Sequence, residues 1–218
     1  MKHRLPFPIL HEDRDLIVID KPAGLLTTHT RAREANTAEE LLNDYVRKGQ
    51  RRSRRRVWLV HRLDRETSGV MMFAKSAEVA EWFRANGGAP TEKTYVARVE
   101  GELAGESGAF ESYLADDERT MKVRSVADPR IGRFARTEWR RLSAERGTTL
   151  VEVSLKTGRK NQIRVHFSEA GHPVVGDAKY GHGKKGQALC LHAWKLKFVH
   201  PHRRRTFAFE SPPPALLA

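Results

Sequence analysis

His61-Arg62-Leu63-Asp64-Arg65-Glu66-Thr67-Ser68-Gly69 is a charged stretch that separates two short apolar runs, residues 57–60 and residues 70–74. Both runs are rich in large or β-branched apolar side chains, which predicts two buried strands. Gly69 can adopt the positive φ that a turn between strands requires. The pattern therefore predicts a charged loop held rigidly between two strands, with the carboxylate of Asp64 near its centre.

Two interpretations of Asp64 are open at this point. Flanked by Arg62 and Arg65, it could belong to a salt-bridged surface turn, because structural ion pairs of this kind are common. Alternatively, the neighbouring positive charge keeps the carboxylate ionised, so that it can act as a nucleophile or as a base. The remainder of the chain favours the second interpretation.

The composition indicates a polyanionic partner. The chain has 218 residues, and its 40 Lys and Arg against 27 Asp and Glu give a formal net charge of +13. Such an excess predicts nucleic acid first and an anionic membrane second. We expect a single domain over residues 1–218. The sequence shows no membrane span and no signal peptide, which predicts a soluble, cytoplasmic protein.

Residues 51–56 contain five arginines in six positions. One interpretation is a solvated loop. We favour phosphate contact, because clustered cations repel one another unless an anion is bound. The candidates for this contact are Arg51, Arg52, Arg54, Arg55 and Arg56.

Several other chemistries find no support in the sequence. The single cysteine, Cys190, excludes an internal disulfide and a Cys-rich zinc site. The ten histidines include no His-Glu-x-x-His pattern. Neither a phosphate-binding Gly-rich loop nor a Gly-x-Ser-x-Gly turn occurs. We therefore expect no metal site.

Local patterns predict further strands and helices. Residues 94–99 alternate as a half-buried strand that carries Tyr95, and residues 102–148 show only short strand-like pieces. Residues 161–170 predict a helix, with Arg164 at an exposed edge next to the apolar stripe. Another helix is expected to begin at Thr37, where Thr-x-x-Glu forms a capping box. A further short helix is predicted over residues 77–86, capped by Ser76 and ended by Gly87 and Gly88.

These motifs together resemble the RluA-type family of RNA pseudouridine synthases. The resemblance is carried by six segments in family order: 19–25, 61–69, 92–95, 155–166, 172–177 and 191–193. Residues 61–69 resemble the family's signature, and His61 at its start resembles the RluA branch. We accordingly identify the chain as resembling a single catalytic domain of this family.

The resemblance implies an α+β fold, a mostly antiparallel mixed sheet flanked by helices, with Asp64 in a basic cleft. It also implies isomerisation of uridine to pseudouridine within RNA, without a cofactor. Asp64 would attack the ribose or remove its C2′ proton, and both roles stay open. Tyr95 would pack against the target base and serve proton transfer at C5, with a core tyrosine as the alternative. Arg164 would pair with the carboxylate, with phosphate contact as the alternative.

Other positions follow from the same motifs. Arg62 resembles the residue that fills the base stack after the target base is flipped out. His61 and Gln162 are further candidates for substrate binding. Asn161 stands where the family usually has His, which affects local support of the helix start. The sequence begins at the catalytic domain, so we expect no preceding S4-like RNA-binding domain.

The expected partner is structured RNA, namely a tRNA or rRNA stem-loop. We expect neither DNA nor a membrane as a partner. We also expect the protein to be a monomer. Two other classes of function stay open. One is a catalytically silent RNA-binding module with the same fold. The other is a carboxylate-dependent nucleoside hydrolase, which would release free uracil from small substrates.

Overall fold

The computed structural model describes residues 5–29, 36–50, 52–85 and 91–217. Three α-helices and eleven strands among these residues give an α+β fold, which confirms the predicted class. Internal contacts divide the chain into unit 1, residues 1–91 and 193–212, and unit 2, residues 92–192 and 213–218. Across the described ranges, every helix is too short or too polar to cross a membrane.

The strands, in chain order, are β1 (Ile9–Glu12), β2 (Leu16–Lys21), β3 (Trp58–Leu59), β4 (Ser68–Ala74), β5 (Thr91–Glu100), β6 (Ser107–Asp117), β7 (Lys122–Val126), β8 (Arg133–Glu145), β9 (Thr148–Leu155), β10 (Leu191–Val199) and β11 (Thr206–Glu210). The helices are α1 (Ala38–Arg47), α2 (Ala77–Ala85) and α3 (Gln162–Glu169), and a short 3-10 helix spans Ala215–Leu217.

Unit 1 is built around β4, which is buried along almost its whole length because apolar residues occupy both of its faces. Strand β2 pairs with it antiparallel from one end to the other. Strand β3 pairs only with the last two residues of β4, and Trp58 lies opposite Ala74. Strand β1 extends the sheet beyond β2, and β11 pairs with β10.

The strand predicted at residues 57–60 is shorter and less buried than expected. Only Trp58 and Leu59 are paired, and both side chains are half-buried. The ladder ends here because the backbone N–H of Met72 donates to Nε2 of His61 (3.3 Å) instead of to a strand carbonyl. The charged loop therefore begins directly after this short strand.

Helices α1 and α2 begin as the sequence predicts. At α1, Thr37 accepts a hydrogen bond from the N–H of Glu40, whose side chain accepts one from the N–H of Thr37. At α2, the hydroxyl of Ser76 accepts from the N–H of Val79 (3.2 Å). The predicted end of α2, at residues 86–88, lies outside the described residues. The apolar face of α2 joins the core formed by β2, β4 and β10.

Unit 2 contains an antiparallel sheet in the order β5-β9-β8-β6-β7, with α3 contacting β6, β7 and β8. Residues 102–148 supply strands of the sheet, as predicted, but β6 with 11 residues and β8 with 13 are much longer than the short pieces that the sequence pattern indicated. Charged residues alternate outward along β8, where Arg136 pairs with Glu111 and Glu138. The outward charges interrupt the apolar pattern but are neutralised across the strands.

Candidate active site

Asp64 lies on the loop that joins β3 to β4 in unit 1, and its side chain is half-buried. The loop turns because the N–H of Thr67 donates to the carbonyl of Asp64 (3.2 Å). Gly69 has φ +111°, and a Cβ at this position would lie 2.2 Å from the carbonyl oxygen of Ala193. The positive φ predicted for Gly69 is confirmed, and only glycine lets β4 approach the neighbouring backbone this closely.

The residue before Asp64 is held by Thr27. The N–H of Leu63 donates to Oγ1 of Thr27 (3.2 Å), and the carbonyl of Leu63 accepts from the same hydroxyl (2.8 Å). Both residues are buried. One threonine therefore satisfies both backbone polar groups of Leu63 and fixes the approach to Asp64.

The residue after Asp64 is held by Lys21 and Gly24. The carbonyl of Arg65 accepts from the N–H of Gly24 (2.7 Å) and from Nζ of Lys21 (3.2 Å). Lys21 is fully buried, and its ammonium group also donates to the carbonyls of Pro22 and Leu25 (2.9 and 2.8 Å). The loop is thus anchored on both sides of its carboxylate.

Lys21 is also electrostatically coupled to the site. Burial lowers the pKa of Lys21 to about 8, and the negative charges of Asp64 and Glu66 oppose this shift. The ammonium group of Lys21 therefore interacts electrostatically with both carboxylates of the loop. No local pattern predicted a role for Lys21 within the motif 19–25. The available signal was a lysine at the end of a strand whose first four residues are buried.

His61 and Arg62 begin the loop. Nε2 of His61 accepts from the backbone of Met72, so this side chain anchors the loop to β4. Arg62 is exposed to solvent. The substrate contacts expected of both residues stay predictions.

In unit 2, Tyr95 lies on β5, opposite Val153 of β9, and is buried. Arg164 lies on α3 and is also buried, so the prediction that it occupies an exposed edge was wrong. The reason is Asp177, which accepts two hydrogen bonds from the Arg164 guanidinium, at 2.7 Å from Nε and 2.8 Å from Nη2. A bidentate pair of this kind permits an arginine to be buried.

Asp177 and Tyr180 fix the orientation of Arg164. Burial raises the pKa of Asp177, but the hydrogen bonds and charge of Arg164, with two backbone N–H donors, outweigh this effect and lower it. The ring of Tyr180 lies 5.3 Å from the Arg164 guanidinium carbon. The hydroxyl of Tyr180 donates to Oδ1 of Asn161 (3.1 Å), directly before α3. Asn161 thus contacts Tyr180 but makes no side-chain capping bond to α3. No pattern in the sequence indicated the role of Asp177.

The side chain of Gln162, at the start of α3, is held by four hydrogen bonds within unit 2. Its amide oxygen accepts from the hydroxyl of Thr157 (2.8 Å) and the N–H of Arg159 (3.0 Å). Its amide nitrogen donates to the carbonyl of Arg136 (3.0 Å) and to Oγ1 of Thr137 (2.9 Å). The side chain is buried, and these four bonds use its full hydrogen-bonding capacity. The substrate contact expected of Gln162 stays a prediction.

The predicted site residues fall into both units. His61, Arg62 and Asp64 share one loop in unit 1, whereas Tyr95 and Arg164 lie in unit 2. The pairing of Arg164 with Asp64 that the family resemblance implies therefore stays a prediction.

The arginine run lies before β3 in unit 1. Arg54, Arg55 and Arg56 are exposed and line a groove, and Arg52 is exposed outside that lining. Arg51 lies outside the described residues. Phosphate contact by these five arginines stays a prediction.

A cluster of Asp13, Asp15 and His200 in unit 1 has the spacing of metal ligands. Nδ1 of His200 accepts from the N–H of Arg203 (3.1 Å), so in the neutral ring Nε2 carries the proton and donates to Asp13 (3.1 Å). Burial raises the pKa of Asp13, but hydrogen bonds led by that from His11 lower it to about 2. A protonated ring nitrogen cannot ligate a metal, so this cluster is a hydrogen-bonded link between strands.

Comparison with known proteins gives the family. The model of the RNA pseudouridylate synthase family matches residues 15–169. The ribosomal large subunit pseudouridine synthase D of Nitrosomonas europaea is 34% identical over 222 residues, covering 96% of this chain and 63% of the relative. The chain thus spans less than two thirds of that relative.

Two further comparisons cover most of this chain and most of the protein compared with it. The dual-specificity RNA pseudouridine synthase RluA of Yersinia pestis is 36% identical over 203 residues, covering 88% of this chain and 92% of the relative. The solved structure of human RNA pseudouridylate synthase domain containing 4 has the same fold, with a TM-score of 0.76 at 24% identity over 96% of this chain and 89% of that one. The chain belongs to the RNA pseudouridylate synthase family.

Proposed function

We propose that this protein is an RNA pseudouridine synthase, an isomerase that converts specific uridines of structured RNA to pseudouridine. The observation that carries the proposal is Asp64, mounted on a loop that is anchored on both sides within the region matched by the family. The proposed substrate is a stem-loop of rRNA or tRNA. This accords with relatives named for the large ribosomal subunit and for dual specificity toward RNA.

The reaction requires no co-reactant, because substrate and product are isomers. The bond between uracil N1 and the ribose breaks, the uracil rotates, and a bond forms from C5 to the same ribose carbon. The proton lost from C5 balances the one gained at N1. An ionised Asp64 attacks the ribose or removes the C2′ proton, and either role needs a carboxylate held in place.

The geometry of each unit supports these roles. Thr27 and Lys21 fix the backbone around Asp64, so little reorganisation is needed when RNA binds. Asp177 holds the Arg164 guanidinium, which we propose to orient the Asp64 carboxylate. Tyr95 is proposed to pack against the target base.

The remaining contacts concern the RNA around the target. Arg62 is proposed to fill the space that the flipped base leaves, because an exposed guanidinium can stack on neighbouring bases. His61 is a second candidate for a substrate contact at the loop. Phosphates are proposed to bind along the arginine run 51–56. We propose a monomer that acts in the cytoplasm, and light scattering of the purified protein measures the first of these two properties.

Replacing Asp64 by Asn tests the proposed function. Asp64→Asn removes the charge at nearly constant shape, so melting temperature and RNA affinity should stay close to wild type while pseudouridine formation is abolished. Glu66→Gln, a carboxylate two positions along the same loop, is the matched control and should retain activity. Substantial pseudouridine formation by Asp64→Asn would disprove the assignment. Release of free uracil by the wild-type protein would indicate a nucleoside hydrolase instead.

A further inference from the structure

A basic groove with a volume of about 850 Å³ lies in unit 1. It is lined by α1, by the segment before β3 and by residues next to β1 and β4. Six of its lining residues are cations that come from four separate segments of the chain: Arg14, Lys48, Arg54, Arg55, Arg56 and Lys75. The groove therefore includes cations well outside the arginine run.

Most of this positive charge is not neutralised by the protein. The carboxylate in the lining, Glu12, accepts from Nζ of Lys75 (2.9 Å) and from the hydroxyl of Tyr45 (2.8 Å). Lys48 also interacts electrostatically with Glu12, but within the described ranges none of the five cations other than Lys75 forms an ion pair with a carboxylate. Neighbouring like charges repel one another, and a bound polyanion relieves this repulsion.

The aromatic residues of the groove are already engaged. The guanidinium of Arg56 lies over the Trp58 ring, 5.3 Å from its centre. The guanidinium covers one face of the ring, and the ring holds the cation in place. Trp58 also packs against the core of unit 1. The hydroxyl of Tyr45 is bonded to Glu12. These contacts favour recognition of phosphate groups over stacking of unpaired bases.

The groove and Asp64 lie beyond opposite ends of β4. Asp64 precedes Ser68, the first residue of this strand, and Lys75 follows Ala74, the last. Seven residues of extended chain span about 20 Å. The groove therefore lies several nucleotides from Asp64 along a bound RNA strand.

We propose that this groove binds the phosphate backbone of the RNA stem that flanks the target uridine, several nucleotides away from it. The proposal rests on the proposed function, because Asp64 is taken as the point where the target is bound. It assigns RNA binding to Arg14 and Lys48, which lie outside the arginine run. Both side chains are exposed, so their replacement leaves the core intact.

The test uses two hairpins that share the loop and target uridine but have stems of about four and about ten base pairs. Wild-type protein should bind the longer hairpin more tightly. In the double variant Arg14→Gln/Lys48→Gln, the ratio of the affinities for the long and the short hairpin should fall toward one. The slope of log affinity against log salt on the long hairpin should fall by roughly 1.4 to 1.8 for two lost phosphate contacts. Lys184→Gln/Lys185→Gln, which removes two exposed cations of unit 2, is the matched control and should keep the wild-type slope.

Three results would overturn the proposal. The first is an equal salt slope for the groove variant and the control. The second is equal affinity of wild-type protein for both hairpins. The third is loss of binding to anionic phospholipid vesicles with RNA binding intact, which would assign the groove to a membrane surface. If the wild-type protein formed no pseudouridine while the variant still lost its stem-length preference, the proposed function would fail and the groove proposal would stand.

Discussion

Replacing Lys21 by methionine should destabilise the protein, because the ammonium group of Lys21 donates three hydrogen bonds inside unit 1. Hydrogen bonds to a charged group contribute about 1.5 to 3 kcal/mol each, or roughly 5 to 9 kcal/mol for three. Methionine has a similar length but neither donates nor carries charge. The carbonyls of Pro22 and Leu25 would lose this donor.

A second effect opposes this loss. The pKa of Lys21 falls from 10.5 to about 8 on burial, so holding its charge in the folded protein costs about 3 kcal/mol. Methionine removes that cost. The net destabilisation of Lys21→Met at neutral pH should therefore be roughly 2 to 6 kcal/mol.

The dependence on pH has a definite sign. Between about pH 8 and 10.5 the unfolded chain binds a proton at Lys21 more tightly than the folded chain does. The stability of the wild type should therefore rise with pH through this range. Lys21→Met has no ammonium group to titrate at this position, so its stability should lack this rise. The difference in unfolding free energy between the two proteins should widen by about 2 kcal/mol from pH 7.5 to pH 10.

Urea unfolding at pH 7.5 and pH 10, followed by circular dichroism, measures both quantities. Lys185→Met is the matched control, since Lys185 is exposed, and it should unfold like the wild type at both pH values. The reasoning is refuted if Lys21→Met is as stable as this control. It is also refuted if the difference from wild type is the same at both pH values.

Three further outcomes are expected. Gln162→Leu should lower the unfolding free energy by about 3 kcal/mol, because buried Thr137 and half-buried Thr157 lose their hydrogen bonds to its amide; reduced RNA affinity with unchanged urea stability would contradict this structural role. Pseudouridine formation on prefolded RNA should persist in excess EDTA, and a complete loss that Zn²⁺ restores would be incompatible with carboxylate chemistry at Asp64. A minimal stem-loop should reach a kcat/KM within about a thousandfold of the full-length RNA, and a larger deficit would place more than roughly 4 kcal/mol of recognition elsewhere in the RNA.

The sequence by itself determined the features that depend on neighbours along the chain. The capping box at Thr37 needs only Glu40, three residues on, and the structure confirms it. The positive φ at Gly69 was predictable from the sequence, because only glycine readily takes a φ of +111°. The six ordered motifs indicated the family, which the comparisons confirm.

Tertiary structure alone decided which side chains support the site. Thr27 holds Leu63 across 36 residues of sequence, and Lys21 holds Arg65 across 44, so no local pattern links either pair. Arg164 is at the edge of an apolar stripe in the sequence, yet Asp177 allows it to be buried by supplying an opposite charge in bidentate geometry. A buried polar group needs its partners in space, and spatial partners are set by how the chain folds back on itself.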